Sequence, residues 1–318
     1  MRLVVTIPAY NEERTVAEVV RSVPRRVEGV SQVEVVVVSD GSSDRTVAEA
    51  RAAGADEVVA FKRNRGLAPT FQAGLDTALA RGADIVVNID ADGQYVGSEI
   101  PALVAPLLRG EADIVLGSRF SGTIEEMPPS KVWGNRVATR ITRWLSGLPI
   151  TDAQTGFRAF SREAALRMSV FSSYTYVQET LLQASQKGLA VVEVPVTFRK
   201  RAGSESRLIR GVWSYARRAG ATILRTHLYH RPLKTFLYIG ALLLAAGGLV
   251  GLRVLLHFLQ TGAVGGFLPS AILSALLLIL GGQVVVVGLL ADVIHHNSLI
   301  NEEVLYRVKR EALERRRN

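Results

Sequence analysis

Asp90 and Asp92 stand one residue apart, directly after a mostly apolar stretch at residues 83–89. Apolar runs bounded by glycine are typical of buried parallel strands, and ligands of open α/β sheets bind at the carboxyl ends of such strands. Two carboxylates in that place suit a hard divalent cation, which prefers oxygen ligands and often shares substrate phosphates. We therefore predict a Mg²⁺ or Mn²⁺ site here. The alternative is a polar loop that merely follows a strand.

Two further strands are predicted to end at the same edge of the sheet. The apolar stretches 3–7 and 33–38 are followed by polar or turn-forming residues, among them Pro8, Tyr10, Glu12, Ser39 and Asp40. Strand and helix patterns then alternate as far as residue 198. This alternation predicts a doubly wound, mostly parallel α/β sheet that is flanked by helices.

These motifs occur in a combination that is far more specific than any one of them. The segments that form it are Pro8-Ala-Tyr-Asn-Glu12, Asp90-Ala-Asp92, Gly117-Ser-Arg119 and Asp152-Ala-Gln-Thr-Gly-Phe157. Together they resemble the family-2 glycosyltransferases of the GT-A fold, closest to the dolichyl-phosphate mannose synthase and polyprenyl-phosphate glycosyltransferase group. The resemblance extends over residues 1–210 and implies a Rossmann-like GT-A domain. It also implies an inverting transfer of a hexose-type sugar from a UDP- or GDP-sugar to a dolichyl or undecaprenyl phosphate.

The resemblance assigns a role to a set of side chains. It implies that Asp90, Asp92 and Gln94 hold the cation, with Asp92 also catalytic because it bridges cation and diphosphate. It implies that Asp152 is a second catalytic group on the acceptor side of the sugar. The substrate-binding residues that it implies are Pro8, Tyr10, Glu12, Val38, Asp40, Ala91, Arg119, Glu179, Arg201 and Arg207.

A second interpretation stays open for several of these side chains. Arg119 is either a phosphate ligand or a surface cation at a strand end, and the two loop arginines either bind phosphate or form a solvated face. Glu179 either orients the sugar hydroxyls or holds an active-site arginine, or it only stabilises the start of its helix through the helix dipole. Asp152 either deprotonates or positions the acceptor. Trp133 and Trp144, on a predicted helix, are expected to pack in the core, and the alternative is that they line a groove for the acceptor lipid.

The last third of the chain has the composition of a membrane anchor. Residues 236–252 and 267–290 carry no charge and are joined by a glycine-rich stretch. With their flanks, both approach the roughly 20 residues that a membrane helix needs. We predict four regions: a GT-A domain at 1–207, an interfacial amphipathic helix at 208–232, a two-helix transmembrane hairpin at 233–294 and a basic tail at 295–318.

The charge pattern predicts how the hairpin is oriented. Arg225, Arg231 and Lys234 precede it, a group of basic residues follows it, and its connecting loop carries no Lys or Arg. By the positive-inside rule both ends face the cytoplasm. No signal peptide precedes the first strand, so we expect a multi-pass protein of the cell membrane with a cytoplasmic catalytic domain.

The charge and the cysteine content of the chain limit which binding partners are expected. The net charge is +9, but many basic residues flank the apolar helices, so anionic lipid explains them better than nucleic acid, for which no motif is present. The chain has no cysteine, which excludes disulfides. A homo-oligomer is compatible with the sequence. Three other functions stay open: a glycosyltransferase with a non-lipid glycan acceptor, a nucleotidyltransferase, and a catalytically idle nucleotide-binding scaffold.

Overall fold

The computed structural model describes residues 1–170, 176–200 and 232–317. The chain divides into two compact units. The first, here the sheet unit, is Met1–Ile209 together with Leu305–Asn318. The second, here the hairpin unit, is Arg210–Val304. Arg201, Arg207 and the predicted interfacial helix up to residue 231 lie outside the described residues.

Strands and helices alternate through the sheet unit as the sequence predicts. The strands are β1 (Arg2–Ala9), β2 (Gln32–Ser39), β3 (Glu57–Ala60), β4 (Ile85–Asn88), β5 (Ile114–Ile124), β6 (Arg158–Ser161) and β7 (Val191–Phe198). The helices are α1 (Val16–Ser22), α2 (Thr46–Ala52), α3 (Leu67–Ala80), α4 (Ile100–Leu108), α5 (Pro129–Ser146), α6 (Arg162–Arg167) and α7 (Val177–Gln186).

The strands form one seven-stranded sheet in the order β3-β2-β1-β4-β6-β5-β7. Only β6 runs antiparallel to its neighbours, so the predicted mostly parallel sheet is confirmed for the strands described. β7 lies at an edge, which suits Pro195 because proline cannot donate to a further strand.

Both faces of the sheet are buried. Alternate residues of β1 point to opposite sides: Leu3, Val5 and Ile7 belong to one apolar core, and Val4 belongs to the other. This explains why β1 and β2 are continuous apolar runs rather than alternating ones. It also leaves polar side chains to the strand ends, where they meet at one edge.

The hairpin unit contains two helices that are long and apolar enough to cross a membrane. They are α8 (Pro232–Thr261) and α9 (Leu268–Arg317), the second of which continues without a break through the predicted tail and into the sheet unit. Ser274 donates a hydrogen bond of 2.8 Å to the carbonyl of Gly247. A Cβ at Gly281 would lie 2.8 Å from a carbon of Leu244, so small residues allow the two helices to pack closely.

Candidate active site

The loop after β4 presents two carboxylates at the sheet edge. Asp90 and Asp92 are both partly exposed, and Ala91 between them is buried. Asp92 accepts a hydrogen bond of 3.1 Å from the backbone amide of Gln94, and Gly93 takes a left-handed conformation with φ +74°. Both carboxylates therefore lie on one short, tightly turned loop that directly follows β4.

Gly156 lies against the Asp90 carboxylate. A Cβ at this position would be 2.3 Å from an oxygen of Asp90, so a larger residue would displace the Asp90 carboxylate. Both backbone groups of Gly156 are held: its amide donates to the Tyr95 hydroxyl at 3.2 Å, and its carbonyl accepts from Asn88 at 2.9 Å and from Tyr176 at 3.3 Å. The Thr-Gly-Phe turn is thus held in place directly beside the first carboxylate of the loop.

Tyr95 supports this turn through hydrogen bonds of its hydroxyl group. Its hydroxyl also contacts the Thr155 hydroxyl at 3.2 Å, and its ring packs against Phe157 and Phe198. Burial raises the pKa of Tyr95 to about 12. The hydroxyl therefore keeps its proton at neutral pH and can donate to Thr155 while it accepts from Gly156.

The loop has the donor set that a divalent cation needs. Two carboxylates one residue apart offer hard oxygen ligands, and Gly156 leaves the space beside Asp90 clear of a side chain. Gln94 uses its amide nitrogen on the carbonyl of Arg199 at 3.2 Å, so its carbonyl oxygen is the atom that would face a cation. Asp90, Asp92 and Gln94 thus fit the predicted cation, which would leave coordination positions for phosphate oxygens.

The ends of β1 and β2 form the part of the sheet edge that is predicted to bind the nucleotide-sugar. Pro8 and Val38 pair in register and are buried, so they would floor a pocket rather than line an open surface. The buried carboxylate of Asp40 accepts from the backbone amides of Arg65 and Gly66, at 2.7 and 2.9 Å. Asp40 therefore shapes the start of α3, and both of its oxygens already hold the protein backbone.

Tyr10 and Glu12 stand where β1 opens into the first loop. Tyr10 is 41% exposed, so its ring is available for stacking on a planar group. Glu12 is partly buried, accepts from the Thr15 hydroxyl at 3.1 Å and has its own amide held by Thr46 at 2.8 Å. The structure thus brings the five predicted donor-side residues to the ends of two adjacent strands.

Arg119 and Asp152 form a buried ion pair on the other side of the carboxylate loop. Asp152 is fully buried, and its two oxygens accept from Nε and Nη2 of Arg119 at 2.7 and 2.8 Å. The Arg119 amide and the Gln154 amide donate to the same carboxylate at 3.1 and 3.2 Å. With four donors on it, the Asp152 carboxylate has little capacity left to accept a proton from a substrate.

Other charged groups lie near the Arg119–Asp152 pair. Burial alone would lower the pKa of the Arg119 guanidinium, but the hydrogen bonds and charge of Asp152, together with the charge of Asp90, raise it. Glu193 on β7 accepts from the amides of both Thr151 and Asp152, at 2.8 and 2.9 Å. Asp90, Arg119 and Asp152 therefore interact as one group of charges.

Arg158 braces the same turn from inside. It is fully buried, and its guanidinium donates to the carbonyls of Ala153, Thr155 and Val177 at 2.8–2.9 Å. Burial lowers the pKa of Arg158. The side chain thereby joins the Asp152 turn to the first residue of α7, which also places Glu179 in the first turn of that helix.

The end of β7 is joined to the carboxylate loop. The amide of Arg199 donates to the Gln94 carbonyl at 2.8 Å, and Tyr95 pairs with Phe198 as an isolated bridge. The Arg119 guanidinium lies 5.1 Å from the ring centre of Phe198. The chain then continues towards Arg201 and Arg207, whose roles stay predictions because they lie outside the described residues.

Sequence reasoning missed the residues that hold the site together. These are Asn88, Tyr95, Arg158, Tyr176 and Glu193. A signal was present for two of them, since Asn88 and Glu193 are polar residues in otherwise apolar strands. Polar groups buried in a sheet need partners, so each could have been flagged as a bracing residue.

Comparison with protein families and relatives agrees with this geometry. The model of glycosyl transferase family 2 matches residues 4–168. The chain is 33% identical to the polyprenol monophosphomannose synthase of Mycolicibacterium smegmatis over 211 residues, which is 63% of this chain and 78% of the relative. It is 31% identical to the undecaprenyl-phosphate mannosyltransferase of Micrococcus luteus over 222 residues, 67% of this chain and 89% of the relative.

The fold is similar to that of glucosyl-3-phosphoglycerate synthase from Mycobacterium tuberculosis, which was solved with Mn²⁺, UDP and glucosyl-3-phosphoglycerate. The TM-score is 0.52 at 26% sequence identity, over 71% of this chain and 78% of that one. This similarity confirms the predicted GT-A architecture. Residues 4–168, which the family model matches, contain the carboxylate loop, Arg119 and Asp152. The chain therefore belongs to glycosyl transferase family 2.

Proposed function

We propose that this glycosyltransferase moves a hexose-type sugar from a UDP- or GDP-sugar to a polyprenyl phosphate, with inversion at the anomeric carbon. The observation that carries the proposal is a two-carboxylate loop joined through Gly156 to the turn that bears the Arg119–Asp152 pair. The carboxylate loop suits a nucleotide diphosphate with its divalent cation. The Arg119 guanidinium can bind a phosphate. The names of the two relatives, a polyprenol monophosphomannose synthase and an undecaprenyl-phosphate mannosyltransferase, support the same acceptor class.

The chemistry needs one bond to form and one to break. An oxygen of the lipid phosphate attacks the anomeric carbon, and the bond from that carbon to the diphosphate breaks with its electron pair on the diphosphate. A divalent cation held by Asp90 and Asp92 would neutralise the charge that develops there. The second pKa of a phosphate monoester is about 6, so the acceptor is largely a dianion at neutral pH and needs no strong base.

The chain's own groups then have distinct tasks. Pro8, Tyr10, Glu12 and Val38 would surround base and ribose, and Asp40 would act through the backbone that it holds. Arg119, with its fork fixed by Asp152, would orient a phosphate with the N–H groups that the carboxylate does not use. Ala91 and Glu179 would complete the sugar pocket, and Arg201 and Arg207 would bind the acceptor phosphate.

Acceptor identity is the first test. Purified protein in lipid vesicles with Mg²⁺ or Mn²⁺ is offered a panel of nucleotide-sugars with a polyprenyl phosphate or the matching polyprenol, and products are read by mass spectrometry. We expect glycosylation of the phosphate only. Arg201→Ala and Arg207→Ala should each lower turnover about ten- to a hundredfold, because a charge-assisted contact contributes about 1.5–3 kcal/mol.

The matched control is Arg109→Ala, which removes an exposed arginine paired with Glu111 on the surface. Equal use of the alcohol and the phosphate, or unchanged rates in both loop variants, would contradict a lipid-phosphate site. Transfer to a soluble glycan alone would favour the non-lipid acceptor. Absence of any metal-dependent donor turnover would favour the idle scaffold.

The second test concerns the membrane. We propose that both ends of the transmembrane hairpin at 233–294 face the cytoplasm, because basic residues flank the hairpin and its connecting loop carries none. The chain has no cysteine, so single Thr261→Cys and Ser298→Cys variants can be labelled without background. A membrane-impermeant maleimide should label Thr261→Cys on intact cells and Ser298→Cys only after permeabilisation. Labelling of Ser298→Cys from outside would reverse the proposed orientation.

A further inference from the structure

Asn11, in the loop that follows β1, has an unusual backbone conformation. Its φ is +54°, and among the residues that the structure describes it is the only one besides glycines with a positive φ. The left-handed region is open to glycine and tolerated by asparagine and aspartate, whereas other side chains make it costly. Such conformations often occur where function requires a particular path of the backbone. Asn11 stands between Tyr10 and Glu12, which are proposed to surround base and ribose.

The side chain of Asn11 joins this loop to the loop that follows β2. Its Oδ1 accepts hydrogen bonds from the backbone amide and the hydroxyl of Ser43, at 2.8 and 3.4 Å. The Asn11 amide donates to the Ser42 hydroxyl at 3.1 Å, and the Ser39 hydroxyl at the end of β2 donates to Ser42 at 2.9 Å. Both the side chain and the backbone of Asn11 therefore bind the second loop.

The next two residues of the first loop extend this contact. The amide of Glu12 donates to the Thr46 hydroxyl at 2.8 Å, and the amide of Glu13 donates to the Asp44 carboxylate at 3.2 Å. In the reverse direction, the amide of Arg45 donates to the Glu13 carboxylate at 3.1 Å. Three consecutive backbone amides of the first loop thus donate to side chains of the second loop.

These contacts, here called the loop clasp, join residues 11–13 to residues 42–46. Binding costs less conformational entropy when the loop that contacts a ligand is already held in place. We propose that Asn11 is a positioning residue for the nucleotide of the donor. Through the loop clasp it holds Tyr10 and Glu12 where they meet base and ribose, while its own side chain stays on the second loop.

This inference rests on the proposed function and is tested in the full chain. Asn11→Gly keeps the left-handed backbone but removes both hydrogen bonds to Ser43, so the fold should be kept while the first loop is released. We expect KM for the nucleotide-sugar to rise about five- to twentyfold, with kcat and the KM for lipid phosphate changed less than about twofold. Asn11→Asp keeps the acceptor oxygen and tolerates the same conformation, so its KM should return to within about threefold of wild type.

The matched control is Ser31→Ala. The Ser31 hydroxyl donates to the Met1 carbonyl at 2.7 Å and so also joins β1 to β2, but at the opposite end of the two strands. Its removal should leave both KM values unchanged. If Asn11 had only a structural role, Asn11→Gly would unfold at lower temperature and lose active enzyme, which lowers kcat, while its KM for the nucleotide-sugar stayed at the wild-type value. That result would overturn the inference.

Nucleotide binding is also read without sugar transfer. Calorimetry with Mn²⁺ and UDP or GDP should show an affinity of Asn11→Gly that is about five- to twentyfold lower than that of wild type, in line with KM. Equal affinities of the two proteins would overturn the role of Asn11. A wild type that bound the nucleotide but transferred no sugar to any polyprenyl phosphate would instead refute the proposed function and leave the role of Asn11 standing.

Discussion

Asp92→Asn is expected to abolish sugar transfer while the sheet unit stays folded. The substitution keeps the shape of the side chain and can still accept the bond from the Gln94 amide, but it removes a charged oxygen ligand from the proposed cation site. A metal that stabilises a departing diphosphate contributes several kcal/mol to the transition state, so turnover should fall by at least about a thousandfold. The measurement is initial rate with saturating nucleotide-sugar and Mn²⁺.

Two further readouts separate loss of the cation from loss of the fold. Mn²⁺ binding, followed by electron paramagnetic resonance without any substrate, should be weakened in Asp92→Asn, and thermal unfolding should resemble that of wild type. Glu111→Gln is the matched control, because Glu111 is an exposed carboxylate paired with Arg109. Full turnover in excess EDTA would show that no cation is needed, and the assignment of Asp90, Asp92 and Gln94 would then fail.

The fold could be predicted from the sequence because its strongest signals are local. The apolar runs of β1, β2 and β4 are short, rich in β-branched residues and ended by turn residues, so strand positions and the polar edge follow from run length and flanking residues. The Asp90–Asp92 loop is equally local. Contacts between residues that are far apart in the sequence produce no such local pattern.

Helix α5 shows the limit of periodicity. Its existence was predicted correctly, but the expectation that Trp133 and Trp144 pack in the core was wrong, since they are 67% and 68% exposed. Ala138, Thr139 and Thr142 are buried instead. Spacing identifies a helix, whereas the face that is buried depends on what the neighbouring elements present.

The site shows the same limit at the level of single residues. Asp152 and Arg119 were each assigned to the substrate, yet they lie 33 positions apart and bind one another. Their contact depends on β6 entering the sheet beside β5, which no local pattern reveals. The bracing of Gly156 by Asn88 and Tyr176 likewise joins residues from three segments.

This pairing leads to the second prediction: Asp152 acts through Arg119 and not as a base. A carboxylate that already accepts four hydrogen bonds is poorly placed to take a proton, and a phosphate dianion has none to give. Asp152→Asn should therefore lower kcat/KM for the lipid phosphate about ten- to a hundredfold, by loosening the Arg119 fork. Its pH profile should keep the acid limb of wild type, since rate falls below about pH 6 as the acceptor phosphate is protonated.

The decisive comparison is between Arg119→Gln and Arg119→Gln/Asp152→Asn. Arg119→Gln leaves a buried carboxylate without its cation, which costs about 3–5 kcal/mol of stability, so thermal unfolding should shift to lower temperature. The double variant removes both charges and should recover most of that stability, yet its transfer rate should stay at the level of Arg119→Gln, because Asp152 has no task without its partner. A base would behave differently: the double variant would be far slower than Arg119→Gln, and Asp152→Asn would change the acid limb of the pH profile. Either result would return Asp152 to the catalytic role that its sequence motif implies.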